Sequence, residues 1–595
     1  MNRAFYDNER EIDLTEQRNL HRREKKVSWA RMLVFVAACA SFAIGYDYYR
    51  QGYLGALILF MIFLRLVTYH DEIRQRQKFL TSRLNVLNSY IVRARGTWRK
   101  RSTDGGAYLK HDRPQDVDLY IFGAGSIFQY ICAARTKRGR DRLAESLSPE
   151  PPENFAAVRV RQRGVAELLQ RPRLSLDLEA FARLMPNNHD TTELIQAVEE
   201  PPPPAYKILF LRFLTLPVFL LQIFLTWRGI LDPLLLPVVP FTSLMISFAL
   251  LRRTAELLKP LKMLSKELRL YQGIFERLES TDFSSTSLRK IREALTAEVS
   301  AAQKLKALSI LVEVVSARRN PIFYILGNAL FLLDFFCVAA FLSWRITAAR
   351  HLRQWIDAWS EAEVLISFAS IGQTRTAYCF PTLLDDSAPR ISAKNLTSLL
   401  IADKKAVANS VELSAGTTII TGANMSGKTT WIRTLASAVL LAYAGAPVCA
   451  EEFTVSRLAI FTSIRVNDDI SQGLSTFYAE LLRIKSMIEY SEKNLPMLVC
   501  IDEIFKGTNE DDRLVGAREA IRRLTNPRSI TLVTTHDFQL CDMVDENPHI
   551  ANAHFEEYYE NDEIKFDFKL RKGRTHTTNA KYLLRMAGIL PPEEK

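Results

Sequence analysis

Two apolar runs, residues 29–46 and 53–69, are separated by a short polar turn at 47–52, and each is about long enough to cross a hydrocarbon core as a helix. The pattern predicts a transmembrane helical hairpin over 29–70, preceded by a basic tail at 1–28. Arg31 and Arg65 stand near the run ends, where long side chains snorkel, and Trp29, Tyr46, Tyr53 and Tyr69 supply aromatic belts. A signal peptide is the competing reading, disfavoured by the long charged lead-in and the second run. Buried core helices are the other alternative. After the acidic and proline stretch 199–204, residues 208–251 are apolar again, interrupted by Arg212, Arg228 and Asp232. They predict a second pair of spans over 205–252, with a turn near 227–233 and kinks at Pro217, Pro237 and Pro240 of the kind lipid-embedded bundles tolerate. A buried helical hairpin remains open there. The stretch 322–344 also has the length but carries Asn328 and Asp334, so a buried amphipathic helix is expected, because an intramembrane Asp is costly.

Elsewhere the polarity pattern changes character. Residues 71–200 are expected to be helical. Within 253–380, residues 254–315 have long helical periodicity with mixed charges, Leu257, Leu261, Leu264, Leu268 and Tyr271 recurring at helical spacing, which predicts a lever or coiled-coil arm, or else an ordinary packed amphipathic helix. From 381 onward, short apolar runs at 417–420, 498–501 and 530–534 alternate with helical segments, the signature of a parallel sheet in an α/β domain. Residues 561–574 read as strand, turn and strand at the sheet edge, with Gly573 in the turn.

Charge placement orients the predicted spans. Arg18, Arg22, Arg23, Lys25 and Lys26 precede the first pair and Arg74, Arg76, Lys78 and Arg83 follow it, whereas its turn carries only Arg50. Arg252, Arg253, Lys259 and Lys262 follow the second pair. A multi-pass membrane protein with both termini cytoplasmic is the expectation. At 595 residues, 48% hydrophobic, with a mean hydropathy of -0.04, the chain suits a few spans in a soluble frame. The net charge of +12 favours polyanions, yet acidic lipid head groups attract the same side chains, so charge alone does not choose between DNA and membrane. The seven Cys show neither metal spacing nor a secretory pattern; Cys449 and Cys500 lie in apolar stretches as reduced, buried thiols.

The chemistry concentrates in one decapeptide. Residues 421–430, TGANMSGKTT, fit GxxxxGK[ST] directly after a predicted strand, a phosphate-cradling loop. Gly422 and Gly427 let backbone amides approach phosphates, with Ala423, Asn424, Met425, Ser426 and Thr430 completing the cradle. Lys428 reaches the β and γ oxygens and the Thr429 hydroxyl ligates Mg²⁺. The strand at 498–501 ends in Asp502 and Glu503, where ligands of parallel sheets bind. Asp502 is a candidate Mg²⁺ ligand and Glu503 a candidate for orienting or deprotonating the attacking water, although such a pair is often a helix cap. His536, after the strand at 530–534, is a candidate γ-phosphate sensor or an ordinary structural His. ATP and Mg²⁺ are the expected cofactors.

TGANMSGKTT, SIRVNDDISQGLSTFYAE, VCIDEIFKGTNEDD and LVTTHDFQL, in that order, resemble the ATPase domain of the MutS mismatch-repair family, over roughly 381–591 including the closing KYLLRMAGILP. The implied fold is an α/β P-loop NTPase of the ABC/MutS type at 381–595, joined to an α-helical core and lever region with transmembrane helices. A weaker resemblance to the family's helical core covers DLYIFGAGSIFQYICAARTKRGRDRLAESL and VRVRQRGVAELL. Gly123 and Gly125 are not a dinucleotide fingerprint, because Phe128 stands where the third glycine belongs. The resemblance implies a homodimer with two composite ATP sites, in which Ser475 reaches the partner's nucleotide; in its own right Ser475 would also cap the helix starting near 476. It implies double-stranded or branched DNA as a partner, beside the lipid bilayer.

Departures qualify that picture. The family's mismatch reader uses a Phe-x-Glu motif near the N-terminus, but here Phe-x-Glu occurs only at Phe555 and Glu557, so the recognition domain is expected to be missing. Ala423 and Thr429 replace usual loop residues, Phe505 and Lys506 alter the segment after the acidic pair, and Thr397 and Ser398 stand in place of a His-Pro pair. The expected function is a membrane-anchored MutS-like ATPase that binds DNA. The alternatives are a membrane scaffold switched by ATP without DNA, or a transporter-type ATPase, disfavoured because SQGLSTFY is not LSGGQ.

Overall fold

Helical periodicity runs unbroken through the change from polar to apolar sequence near residue 28, and the chain answers with two very long helices, Arg3–Asp47 and Gln51–Ala94, packed antiparallel. The computed structural model describes residues 3–47, 51–187, 190–199, 207–264, 268–386, 388–465, 476–505, 509–560 and 563–574. The apolar runs are the distal halves of these helices, and their side chains face outward: Trp29 is 64% exposed and Leu54 64%. Small residues bring the backbones together near the tip. A Cβ on Gly52 would lie 2.5 Å from the Gly45 nitrogen, and the Ser41 hydroxyl donates to Gly52 O at 2.9 Å, the close approach that suits helix pairs in lipid. The proximal halves are joined by polar ties instead. Arg76 reaches Glu16 at 2.8 Å, and the Arg83 guanidinium is shared by Glu9, Asp13 and Asp177. Below these ties Phe79, Val86, Leu87 and Tyr90 pack with Tyr6, Leu176 and Ala180, which seats the hairpin on the helical body.

A second apolar group comprises Leu211–Trp227, the 3-10 turn Pro233–Leu235, Val238–Leu257 and Pro321–Phe331, the last packed on both longer helices. The single buried helix expected at 322–344 is instead two helices, bent by 81° at Leu332. Asn328 and Asp334 explain the break. The Asp334 amide donates to Asn328 Oδ1 at 3.0 Å and the Asn328 amide group donates to Asp334 Oδ1 at 3.3 Å, an exchange possible only if the chain turns between them. Arg318 then pairs with Asp334 at 2.7 Å, so the acidic half Leu333–Trp344 is buried in protein while Ile322, Ile325 and Leu326 face outward. Among the described residues, three helices (Ala4–Tyr46, Gln51–Ala94 and Pro233–Leu257) are long and apolar enough to cross a membrane, or four if the bent pair counts as one span.

The arm expected across 254–315 is not one lever. It folds into Lys259–Leu264, Leu268–Ser280, Thr286–Thr296 and Ala301–Ala317. Its breaks are capped by carboxylates: the Ser284 and Ser285 amides donate to the Glu167 carboxylate, far off in sequence, at 2.9 and 2.8 Å, and Glu279 of the arm itself accepts from Ser300 Oγ and the Ala302 amide. Through these bends Leu268, Ile274 and Phe275 join one core with Leu305 and Leu308. Arg350–Thr374 runs through the middle of the helical body and is buried almost all round from residue 355 on.

Among the described residues ten strands follow: β1 (Thr382–Leu384), β2 (Arg390–Leu396), β3 (Asn409–Ser414), β4 (Gly416–Thr421), β5 (Glu452–Ser456), β6 (Ala459–Ser463), β7 (Met497–Asp502), β8 (Ser529–Thr534), β9 (Ile550–Glu560) and β10 (Glu563–Lys572). One sheet has the order β1-β5-β2-β3 and the other β10-β9-β4-β8-β7-β6. In the second sheet every pairing is parallel except β9 with β10. The strand-turn-strand expected within 561–574 is therefore corrected. The chain reverses between Glu560 and Glu563, β10 is a single edge strand with a register shift between Phe566 and Leu570, and Gly573 follows it, its amide bonded to Asn552 O at 2.8 Å.

Asp118 joins the helical body to this sheet. It is fully buried and accepts from Thr462 Oγ1 at 2.7 Å and from the Ile464 and Arg465 amides at 3.1 and 2.8 Å. Asp118→Ala strands these donors, and the expected result is a loss of about 3 kcal/mol of stability, read as a lower urea midpoint. An unchanged midpoint would contradict this role.

Candidate nucleotide site

Strand register gathers the site. Ile420 of β4 and Asp502 of β7 both pair with Thr534 of the intervening β8, so three strand ends open at one edge of the sheet. The loop after β4 leads into the helix Lys428–Ala444. Gly422 has φ of 142°, and a Cβ there would lie 2.7 Å from Phe555 O, so only glycine fits this turn. The first amide to return a helical bond is that of Trp431, to Gly427 O at 2.9 Å, which leaves the opening turn of N–H groups directed along the loop. Ser426 Oγ and Thr421 Oγ1 are buried without a hydrogen-bond partner, polar atoms awaiting one. Loop residues 423–430 line a cleft of about 280 Å³ together with Lys405, Val407, Glu503 and Phe568.

The charged side chains meet beneath that loop. Lys428 Nζ donates to Gly422 O at 2.7 Å and Ala423 O at 3.1 Å. Thr429 Oγ1 donates to the Asp502 carboxylate at 2.8 Å, and Thr534 Oγ1 donates to it at 2.6 Å. Glu503 sits at φ 55°, its amide bonded to Thr534 O at 3.0 Å. His536 Nε2 lies 3.2 Å from Glu503 Oε1 and 3.3 Å from Lys428 Nζ. That nitrogen bears at most one hydrogen, so it either donates to Glu503 or accepts from Lys428. Burial pushes the nearby Cys500 thiol far up, which keeps it inert.

The sequence candidates Gly422, Lys428, Thr429, Asp502, Glu503 and His536 are thus brought together, while Met425 stands 86% exposed at the loop tip. Ser475 and Lys506 lie outside the described residues. Thr397, where a His-Pro pair was noted as replaced, donates through its amide and hydroxyl to Cys449 O at 2.8 and 3.1 Å, and Ser398 lines the cleft. Sequence reasoning missed four participants. Thr534 holds Asp502. Glu480 accepts from the Phe505 amide at 2.7 Å and braces the loop after the acidic pair; its only sequence signal was its place at the end of SIRVNDDISQGLSTFYAE. Asn409 and Phe568 close the cleft, tied by an Asn409 Nδ2 bond to Phe568 O at 2.9 Å, and no local motif announces either.

Thr429 and Asp502 offer the oxygen donors that Mg²⁺ prefers. Mg²⁺ is bound by one or two such protein oxygens while keeping waters and substrate oxygens in its shell. The residues present therefore suit a magnesium nucleotide. Residues 418–593 match the family model of MutS domain V, so this segment is similar to the ATPase domain of the MutS family, which supports a general capacity for ATP hydrolysis.

Proposed function

We propose that this chain is a membrane-anchored, MutS-like ATPase with a P-loop NTPase fold at 381–595, acting as a homodimer with two composite ATP sites and binding double-stranded or branched DNA. The observation that carries the ATPase reading is the convergence at one sheet edge of two hydrogen-bonded sets, Lys428–His536–Glu503 and Thr429–Asp502. Lys428, now bonded to carbonyls of its own loop, exchanges them for β and γ oxygens when ATP enters. Thr429 and Asp502 hold Mg²⁺, which supplies charge neutralisation on the phosphates. Glu503 orients the attacking water and accepts its proton, and His536 passes from Lys428 to Glu503 according to what fills the γ-phosphate position. Ser475 is assigned to the partner's nucleotide by family resemblance.

The anchoring reading rests on the outward-facing apolar helices, since soluble monomers rarely expose such continuous apolar surface. Both termini and the ATPase region are assigned to the cytoplasmic side by the basic flanks. Without a mismatch reader, DNA is recognised by shape rather than base identity. Detergent-solubilised full-length chain should bind branched or duplex DNA with an affinity that falls steeply across a salt series. Absence of binding at low salt, with and without ATP, would leave a DNA-independent membrane scaffold as the function.

A further inference from the structure

At the foot of the long hairpin, away from the nucleotide cleft, a cavity of about 320 Å³ opens between the end of helix Gln51–Ala94 and the loop 97–103. Ser89, Lys100, Arg101, Arg135 and Arg183 line it, with Glu179 as the single acidic side chain. Behind it, Arg93 is 1% exposed. Its Nη2 donates to Cys132 O at 3.2 Å, while its Nε and Nη1 have no hydrogen-bond partner. Arg101 donates to that same carbonyl at 2.5 Å, so a second like charge sits beside Arg93, and Arg101 also donates to Gln129 O and Tyr130 O, both at 2.8 Å. Ser89 Oγ is also buried without a partner.

The charge around this cavity does not balance. Glu179 is taken up by a two-pronged bond from Arg183 at 3.1 and 2.9 Å. Burial pushes Glu179 up, yet Arg183, Arg93 and Arg101 together hold it below its ordinary value. Burial, with Arg93 beside it, lowers Arg101 to about 9, and burial beside Arg183 lowers Arg135. Positive charge is crowded here at a cost that a bound anion would relieve.

We propose that this cavity binds a compact phosphorylated anion, with Lys100, Arg135 and Arg183 around it and Ser89 supplying an unspent donor, while Arg101, held by the Gln129, Tyr130 and Cys132 carbonyls, and Arg93 behind it add positive charge. Guanidinium clusters with hydroxyl donors suit clustered phosphate oxygens, and the volume suits a pyrophosphate or oligophosphate group. The source is a free anion rather than a lipid head group. Ser89 lies twenty residues beyond Tyr69, the end of the apolar run, about 30 Å along the helix at 1.5 Å per residue. The bound anion would pin the hairpin's foot to the helical body, joining helix Gln51–Ala94 to the segments that carry Arg135 and Arg183.

Isothermal titration of full-length Lys428→Ala chain in detergent with inorganic pyrophosphate and tripolyphosphate tests this, that substitution suppressing the nucleotide site. The expected result is one site per chain, weakened at least about tenfold by Arg135→Gln combined with Arg183→Gln. Should the double variant not fold, Arg135→Gln alone suffices, because Arg135 sits at the partly exposed cavity mouth. Micelles carrying phosphatidylinositol bisphosphate should leave pyrophosphate binding unchanged. Displacement by that lipid would overturn the free-anion assignment, and absent binding, or binding indifferent to Arg135, would overturn the site.

Discussion

Replacing Glu503 by Gln is expected to leave ATP bound while turnover falls by about a hundredfold or more, the usual contribution of a positioned general base. Gln keeps the shape of Glu and can still meet His536 across the 3.2 Å contact, so the loop held by Thr534 and Glu480 stays in place. What is lost is the capacity to take a proton from water. The phosphate contacts proposed for Lys428 and the Mg²⁺ contact proposed for Thr429 do not involve Glu503, so the substitution separates chemistry from binding: kcat falls and nucleotide affinity holds. Single-turnover hydrolysis with a parallel nucleotide-binding titration checks both. Unchanged turnover would remove Glu503 from the base role.

Lys428→Ala is expected to act one step earlier, on binding itself. Lys428 is buried, and its ammonium spans Gly422 O, Ala423 O and His536 Nε2, the centre of the loop. Removing a charge-assisted donor to phosphate costs about 3 kcal/mol, about a hundredfold in nucleotide Kd. Equilibrium binding of a fluorescent ATP analogue reads this directly, and normal affinity would contradict the phosphate-loop assignment. The two substitutions predict opposite patterns, binding kept with turnover lost against binding lost.

Much of the nucleotide site was legible because its chemistry is local. The TGANMSGKTT loop and Asp502–Glu503 lie at strand ends that apolar runs reveal, and the parallel register of β4, β8 and β7 carries them to one edge. The participants missed by sequence are those held by distant partners: Thr534 looks like any β-branched strand residue until β7 pairs beside it, and Phe568 reaches the cleft only through the irregular register of β10. The same distinction governs the helical half. Apolar runs disclosed outward-facing helices, but helical periodicity could not reveal that the 254–315 stretch bends where Glu167 captures the Ser284 and Ser285 amides. Nor could it reveal that Asn328 and Asp334 satisfy each other by breaking a helix at Leu332. Periodicity reports which face is apolar; it is silent about the individual side chains, near or far in sequence, that terminate an element.

In the proposed function a bilayer anchor and ATP hydrolysis share one polypeptide, and one measurement addresses both. ATPase activity should be assayed in carbonate-washed membranes from cells expressing the full-length chain, against the same membranes carrying Glu503→Gln. The predicted result is Mg²⁺-dependent hydrolysis that sediments with the washed membranes and is absent from the Glu503→Gln preparation. Activity released into the carbonate supernatant, or equal in the two preparations, would contradict it.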